Sequence, residues 1–242
     1  EALIHRFTLS TAEVEGIEYK GREVQDVVVG QIISCEAHPD SDHLHLLKVD
    51  IGSEVLDVVC GAPNARTGLK TALCKVGGSV PGLKIKASKI RGCASFGMCC
   101  SEKELGISEK NDGIMELDPS LELGKDLKEI YPIDDIVFEV DNKSLTNRPD
   151  LWGHYGMARE FAALTNQKVK PLNLMENPYT GTDMVPVTVR ATDLVHRYTS
   201  MRIEHVTRTV SPMALQIRLQ YCGSRALNLL ADLTNYIMLE LG

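Results

Sequence analysis

Short runs of apolar residues, each closed by Gly, Pro, Asn or Asp, dominate the chain from residue 27 to 86. They fall at 27–33, 45–50, 55–60, 71–74 and 84–86, and are rich in Val, Ile and Leu. Runs of this length and spacing predict strands of a small closed or half-open barrel. The alternation continues imperfectly through 84–91, with Ile85 and Ala87 facing one way and Lys84, Lys86 and Ser88 the other. One basic face is the expected result. Beyond it, Ser101 followed by Glu104 has the spacing of a capped helical turn, and 113–117 has the pattern of a closing strand.

Outside this region the period changes. Residues 1–26 are too few and too polar to fold alone and must pack on something later in the chain. A strand is expected at 136–140. Asn147, Pro149 and Asp150 then have the makings of a helix start, and Leu151, Tyr155, Ala158 and Ala162 follow at helical spacing, which predicts a helix over about 148–164. Residues 166–186, with three prolines, suggest a linker. From Val185, strand-like stretches at 187–189 and 201–203 precede a helix opened by Ser211-Pro212, with Leu215, Leu219 and Cys222 on one face and Gly223 at its end. Leu230, Leu233 and Ile237 mark a last helix.

Charge sharpens the picture of the barrel. The chain of 242 residues carries a formal net charge of -7, yet residues 58–101 contain Arg66, Lys70, Lys75, Lys84, Lys86, Lys89 and Arg91 and no acid. Thirteen acids against four lysines follow over 102–141. A basic, Gly-rich face on an acidic protein suggests an anion partner, of which nucleic acid is the commonest large one; a solvated surface with clustered lysines explains composition alone equally well. Phe96 is the only aromatic residue of the basic segment, so a base-stacking platform is disfavoured against backbone recognition of a structured RNA.

Catalytic chemistry finds little support. His38, His43 and His45, with Asp40 and Asp42, invite a metal, but no Cys or Glu completes a site; a turn leading into a strand, with the two Asp side chains bonded to local amides, accounts for them better. Cys60 precedes a Gly61-Ala62-Pro63-Asn64 turn with no basic partner, as a buried structural thiol would. The seven cysteines are odd in number and scattered, which suits free thiols in a reducing cytoplasm. There is no run of about 18 apolar residues, so no helical membrane span is expected. A chain lacking an initiator Met and stopping just after a helical pattern is expected to be a piece of a longer protein.

Five blocks in order resemble the tRNA-binding OB-fold shared by several synthetases and free-standing tRNA-binding proteins: 29–32, 38–44, 48–52, 59–64 and the long segment 89–106, KIRGCASFGMCCSEKELG. The flanks are similar to the β-subunit family of bacterial-type phenylalanine–tRNA ligases, through Thr146-Asn147-Arg148-Pro149-Asp150-Leu151, the stretch 156–164, Arg197-Tyr198, Ser211-Pro212, Arg225 and 232–242. His43, where many OB-fold relatives carry Lys, is a departure that weakens one phosphate contact the resemblance implies.

The resemblance implies an α+β chain: a five-stranded OB-fold β-barrel at 27–135 inserted in a small α/β scaffold made of 1–26 and 136–180, followed at 185–242 by the start of a second α/β module of the editing type. It implies tRNA contacts at Lys84, Lys86, Lys89, Arg91, Ser95, Met98 and Ser101, and an editing pocket touching Thr234 and Asn235. No catalytic or metal residue is expected here. ATP and Mg²⁺ are cofactors of the whole ligase, whose partners are tRNA and an α subunit in an α2β2 assembly, without DNA or membrane. The rival readings are a free-standing tRNA-binding protein and a barrel that serves only as a spacer.

Overall fold

The computed structural model describes residues 2–174, 176 and 185–242. Its centre is an antiparallel sheet in the strand order β4-β3-β2-β5-β6, with β9 also paired to β5. These strands are β2 (Gln25–Ala37), β3 (His45–Asp50), β4 (Val55–Cys60), β5 (Lys70–Val80), β6 (Leu83–Lys84) and β9 (Gly97–Cys99). Strands 45–50 and 55–60 form as the short apolar runs predict, paired from His45↔Cys60 to Asp50↔Val55.

β2 runs longer than its apolar stretch suggests. The register shifts between Ile32 and Ser34, and a bulge there bends the strand and lets pairing with β3 continue to Ala37↔His45. The sheet curls into a half-barrel until β4 meets the segment after residue 90: the Asp57 carbonyl accepts from the Phe96 amide at 2.8 Å. Gly30 sits where a Cβ would be 2.6 Å from Val49 Cγ1, so the curl is tight enough to demand glycine.

Both faces of the β2–β5 pair are buried. Val28, Ile32 and Leu73 point into the curl with Leu47, Val49, Ile51, Val58, Cys60 and Cys99. Val27, Val29, Ala72 and Cys74 face the other way, onto Leu105, Ile107, Met115, Leu117, Leu127 and Ile133. The segment 100–133 forms this second layer with little regular structure beyond the short α2 (Leu127–Ile130). Its expected turn at 101–105 is present, with the Ser101 amide donating to Glu104 at 2.7 Å and the Glu104 amide to Ser101 Oγ at 3.2 Å. The expected strand at 113–117 is reduced to one bridge, Thr71↔Glu116, plus the bonds of Met115 to Cys100 and Leu117 to Lys70.

The chain ends around the sheet make a separate small unit. Residues 2–10 form a helix, α1 (Ala2–Ser10), and β1 (Val14–Lys20) pairs with β10 (Asp135–Val140). Phe7 is fully buried, stacked on Phe161 with ring centroids 4.8 Å apart and meeting the edge of Phe138 at 6.2 Å. Polar residues 1–26 thus gain their core from residues far along the chain.

The helix expected from 148 starts later. Pro149–Leu151 is a 3-10 turn, Gly153 is extended, and α3 spans His154–Thr165. A Cβ on Gly156 would lie 1.6 Å from the Asp150 carbonyl oxygen, so the turn folds back over the first helical turn instead of continuing into it. Arg148 clamps this arrangement, donating to Asp150 and, at 2.9 Å, to Glu160, which also accepts from the Thr11 hydroxyl at 2.6 Å.

Toward the end of the chain α4 (Met213–Tyr221) and α5 (Leu229–Leu241) form as expected, but with different faces. Ile217, Leu219 and Tyr221 are buried, the Tyr221 hydroxyl donating to the Ile133 carbonyl at 2.8 Å, while Cys222 is exposed and Leu215 half-buried. Leu230, Leu233 and Ile237 are exposed. No strand forms at 187–189 or 201–203. The expected linker falls partly outside the described residues, at 175 and 177–184.

Two outcomes follow from the scaffold. Phe7→Ala removes the centre of its aromatic cluster and should cost about 3–5 kcal/mol in urea unfolding. The Thr11 hydroxyl, and then Arg148, hold the Glu160 carboxyl below its usual range, so its stabilisation is present at neutral pH and lost as pH falls through the folded pKa. Thermal unfolding between pH 7 and pH 3 should show a smaller acid loss in Glu160→Gln than in the parent chain.

Candidate nucleic-acid interface

The basic segment folds into two small hairpins. β6 returns against the end of β5 through Ser79↔Lys84 and Val80↔Leu83. Ile85 then turns inward and is buried, which ends the strand. β7 (Ser88–Ile90) pairs with β8 (Cys93–Ser95) around Arg91-Gly92, both with positive φ, 45° and 87°. This is the backbone of a tight two-residue hairpin. The single alternating strand expected over 84–91 is therefore two pieces, and its basic side chains lie on two neighbouring hairpins.

Availability separates the cations of this segment. Arg66 makes a two-pronged pair with Glu116 at 2.7 and 2.8 Å, Lys70 donates to the Leu121 carbonyl at 2.5 Å, and Lys75 lies 3.8 Å from Asp26. Lys84, Lys86 and Lys89 are exposed and, among the described residues, have no carboxylate within 4.0 Å. Arg91 is exposed too, and spends one nitrogen on the Asp40 carbonyl at 3.0 Å, tying the hairpin tip to the 38–44 turn. An exposed ammonium without an internal partner is free to meet a phosphate. Leu83, Ile90 and Phe96 are exposed among them, giving apolar surface next to the charges.

The other expected contact residues are placed differently. Ser95 is buried, its hydroxyl accepting from the Val59 amide and donating to the Gly97 carbonyl, both at 3.1 Å. Ser101 is buried as well, donating to Glu104 and Asn111. A phosphate reaches neither hydroxyl without breaking these bonds, so in this structure both hold the fold. Met98 is half-buried on β9, paired to Cys74. Thr234 is exposed on α5 with its hydroxyl returned to the Leu230 carbonyl, and neither it nor Asn235 lines the cavity beside Cys60 or the one beside Cys222.

The histidine-rich turn holds itself. The Asp40 amide donates to His38 Nδ1 at 3.0 Å and the His43 amide to Ser41 Oγ at 3.4 Å, so His38 and Ser41, and not Asp40 or Asp42, satisfy the local amides. His43 precedes the strand and does not share a strand face with His45.

Cys60 is buried on the floor of a cavity of about 310 Å³ lined also by Pro63, Cys99, Ser101, Glu104 and Asn111. The neighbouring Cys99 lowers the Cys60 thiol from its ordinary value, while Cys60 and burial push Cys99 up. The pairing of two cysteines 39 residues apart has no local signature in the sequence. The rim is fixed by Asn64, whose side chain accepts from the Ile114 amide and donates to the Ile114 carbonyl, both at 2.9 Å.

Residues 27–126 match the family model "Putative tRNA binding domain", and 194–242 match "B3/4 domain". Phenylalanine–tRNA ligase β subunits of Coxiella burnetii and Shewanella oneidensis are 41% and 40% identical to this chain, each alignment covering 100% of the chain and 31% of the relative. That of Haemophilus influenzae is 41% identical with the same coverage. The chain thus spans about a third of the length of the curated relatives it matches. A solved methionyl-tRNA-synthetase-related protein of Pyrococcus horikoshii is 22% identical over 42% of this chain and 86% of its own, with a TM-score of 0.32, too low to speak to the fold.

Asn64→Ala unties the segment after residue 110 from the half-barrel and leaves two backbone groups of Ile114 without partners. The change should cost about 1–3 kcal/mol and raise amide exchange at Ile114 while exchange at Leu47 and Val49 stays slow.

Proposed function

We propose that this chain, which is related over its whole length to phenylalanine–tRNA ligase β subunits, binds tRNA through its half-barrel and supports a ligase that attaches phenylalanine to tRNA. The carrying observation is the set of exposed lysines without carboxylate partners, Lys84, Lys86 and Lys89, joined by Arg91, inside the region that matches the tRNA-binding model. Such cations neutralise phosphates without reading bases, as binding a structured RNA by its backbone requires. Ser95, Met98 and Ser101 act in this reading by shaping the strand and turn beneath the hairpins.

The half-barrel with its second layer is proposed as a five-stranded OB-fold spanning 27–135. The unit built from 1–26 and 136–180 is its scaffold, and 185–242 is the start of an editing module with Thr234 and Asn235 at its pocket. The match of 194–242 to a B3/4 domain supports this last assignment. Among the described residues no three His, Cys, Asp or Glu side chains converge to hold a metal. In this reading ATP and Mg²⁺ belong to the whole ligase, in an α2β2 assembly with an α subunit, and the setting is the cytoplasm. Among the described residues no helix is long and apolar enough to cross a membrane.

The full-length β subunit with its α partner tests the reading. Replacing Lys84, Lys86, Lys89 and Arg91 by Ala should weaken tRNA binding and lower the slope of log K against log salt by roughly one unit per lost phosphate contact. Unchanged affinity and slope would show the half-barrel to be a spacer. Activity of the β chain that needs no α subunit for tRNA binding, with none co-purifying, would favour a free-standing tRNA-binding protein.

A further inference from the structure

A second and larger cavity, about 600 Å³, lies between the scaffold and the two final helices. Its walls are mostly apolar, with Val137, Phe138, Leu145, Leu151, Met157 and Leu219 among them. Cys222 and His154 share that lining. The Cys222 sulfur lies 3.7 Å from His154 Nε2, and His154 Nδ1 is 2.7 Å from the carbonyl oxygen of Leu239.

The geometry fixes the proton. A carbonyl oxygen can only accept, so Nδ1 carries the hydrogen, and in the neutral ring Nε2 presents a bare lone pair to the sulfur. Three elements hold the arrangement: His154 opens α3, Cys222 ends α4 and Leu239 belongs to α5. A nucleophile beside a base that a third group orients is the minimal unit of nucleophilic catalysis. The contact with Cys222, followed by the Leu239 carbonyl, holds the His154 imidazole at about 9 against the opposing effect of burial. Asp135 adds to this, and Arg218, Tyr221, Tyr236 and Glu240 are the other titratable groups facing the same cavity. Cys222 is a free thiol and exposed, so a reagent can reach it.

We propose that Cys222 and His154 form a nucleophilic site that captures α,β-unsaturated carbonyl compounds whose apolar body fills the neighbouring cavity. His154 Nε2 already holds the proton taken from Cys222, so the sulfur bonds to the β-carbon as a thiolate beside an imidazolium. The π pair of the double bond moves to the α-carbon and carbonyl as an enolate, which then takes the proton back at the α-carbon. Nothing leaves and nothing is oxidised. A soft sulfur nucleophile favours a soft carbon, and apolar walls of this size reward a chain of several methylenes that a small polar reagent lacks.

The test uses the full-length chain with 2-nonenal and acrolein at pH 7, the adduct on each cysteine being timed by mass spectrometry of its peptide. Folded protein should modify Cys222 with 2-nonenal at least ten times faster than the same chain in denaturant. The preference for 2-nonenal over acrolein should also rise on folding. His154→Gln should slow the folded reaction about 100-fold, the scale of one general base, and Cys222→Ser should abolish the adduct at this position. Equal rates in folded and denatured chain, or a rate indifferent to His154→Gln, would overturn the assignment. Should His154→Gln not fold, the folded-against-denatured comparison of the two aldehydes decides alone.

Discussion

The burial of the β2–β5 pair on both faces is the constraint from which the rest of the structure follows. A sheet that curls to enclose one core has its other face outward, ordinarily in water. Here Val27, Val29, Ala72 and Cys74 make that outer face apolar, and the irregular segment 100–133 must cover it. Covering it brings Thr71 opposite Glu116, places Asn64 against Ile114, and consumes Arg66 and Lys70 in holding the cover down. α4 adds Ile217 and Tyr221 to the same core, so the last helices take their position from the half-barrel as well. The hairpins of β6 to β8 lie beyond this cover. Their lysines stay in solvent because, among the described residues, no acidic segment is pulled across them.

What the sequence shows and hides can be traced residue by residue. β3 and β4 are legible to their ends because each is a short run rich in Val and Leu, closed soon afterwards by Gly52 or Gly61. β2 is legible only to its bulge, since an inserted residue breaks the period on which the reading depends. The basic row at 84–91 reads as one strand because Lys and Ile alternate, but buried Ile85 and the positive φ at Arg91 divide it; an arginine in a left-handed conformation gives no local signal. The start of α3 is misplaced for the opposite reason. Asn147 and Pro149 are sound capping residues, and only the close approach of Gly156 to Asp150 shows that the chain turns there first.

The candidate site was half legible. The sequence marks seven cations in one segment, and Lys84, Lys86, Lys89 and Arg91 are the four that remain exposed with donors to spare. Their distinction from Arg66, Lys70 and Lys75 lies in partners such as Glu116 and Leu121, about fifty residues away, and no window of sequence joins them. Ser95 and Ser101 show the reverse case: polar residues in a matching motif whose hydroxyls bond within the fold. The meetings of Cys60 with Cys99 and of Cys222 with His154 belong to the same class of fact, since tertiary contact alone creates them.

The pairing of β1 with β10 brings Gly21 beside Ile133, close enough that a Cβ on Gly21 would lie 2.4 Å from the Ile133 carbonyl oxygen. Chain enters the half-barrel and leaves it at a single point, over a host hairpin that is continuous in space on either side. The half-barrel is thus joined at two neighbouring points to the β1–β10 pair, while Ile217 and Tyr221 of α4 share its core. Grafting a different binding domain between residues 20 and 135 becomes a matter of joining two adjacent ends, and the scaffold's aromatic cluster, supplied from outside that interval by Phe7, Phe138 and Phe161, travels intact.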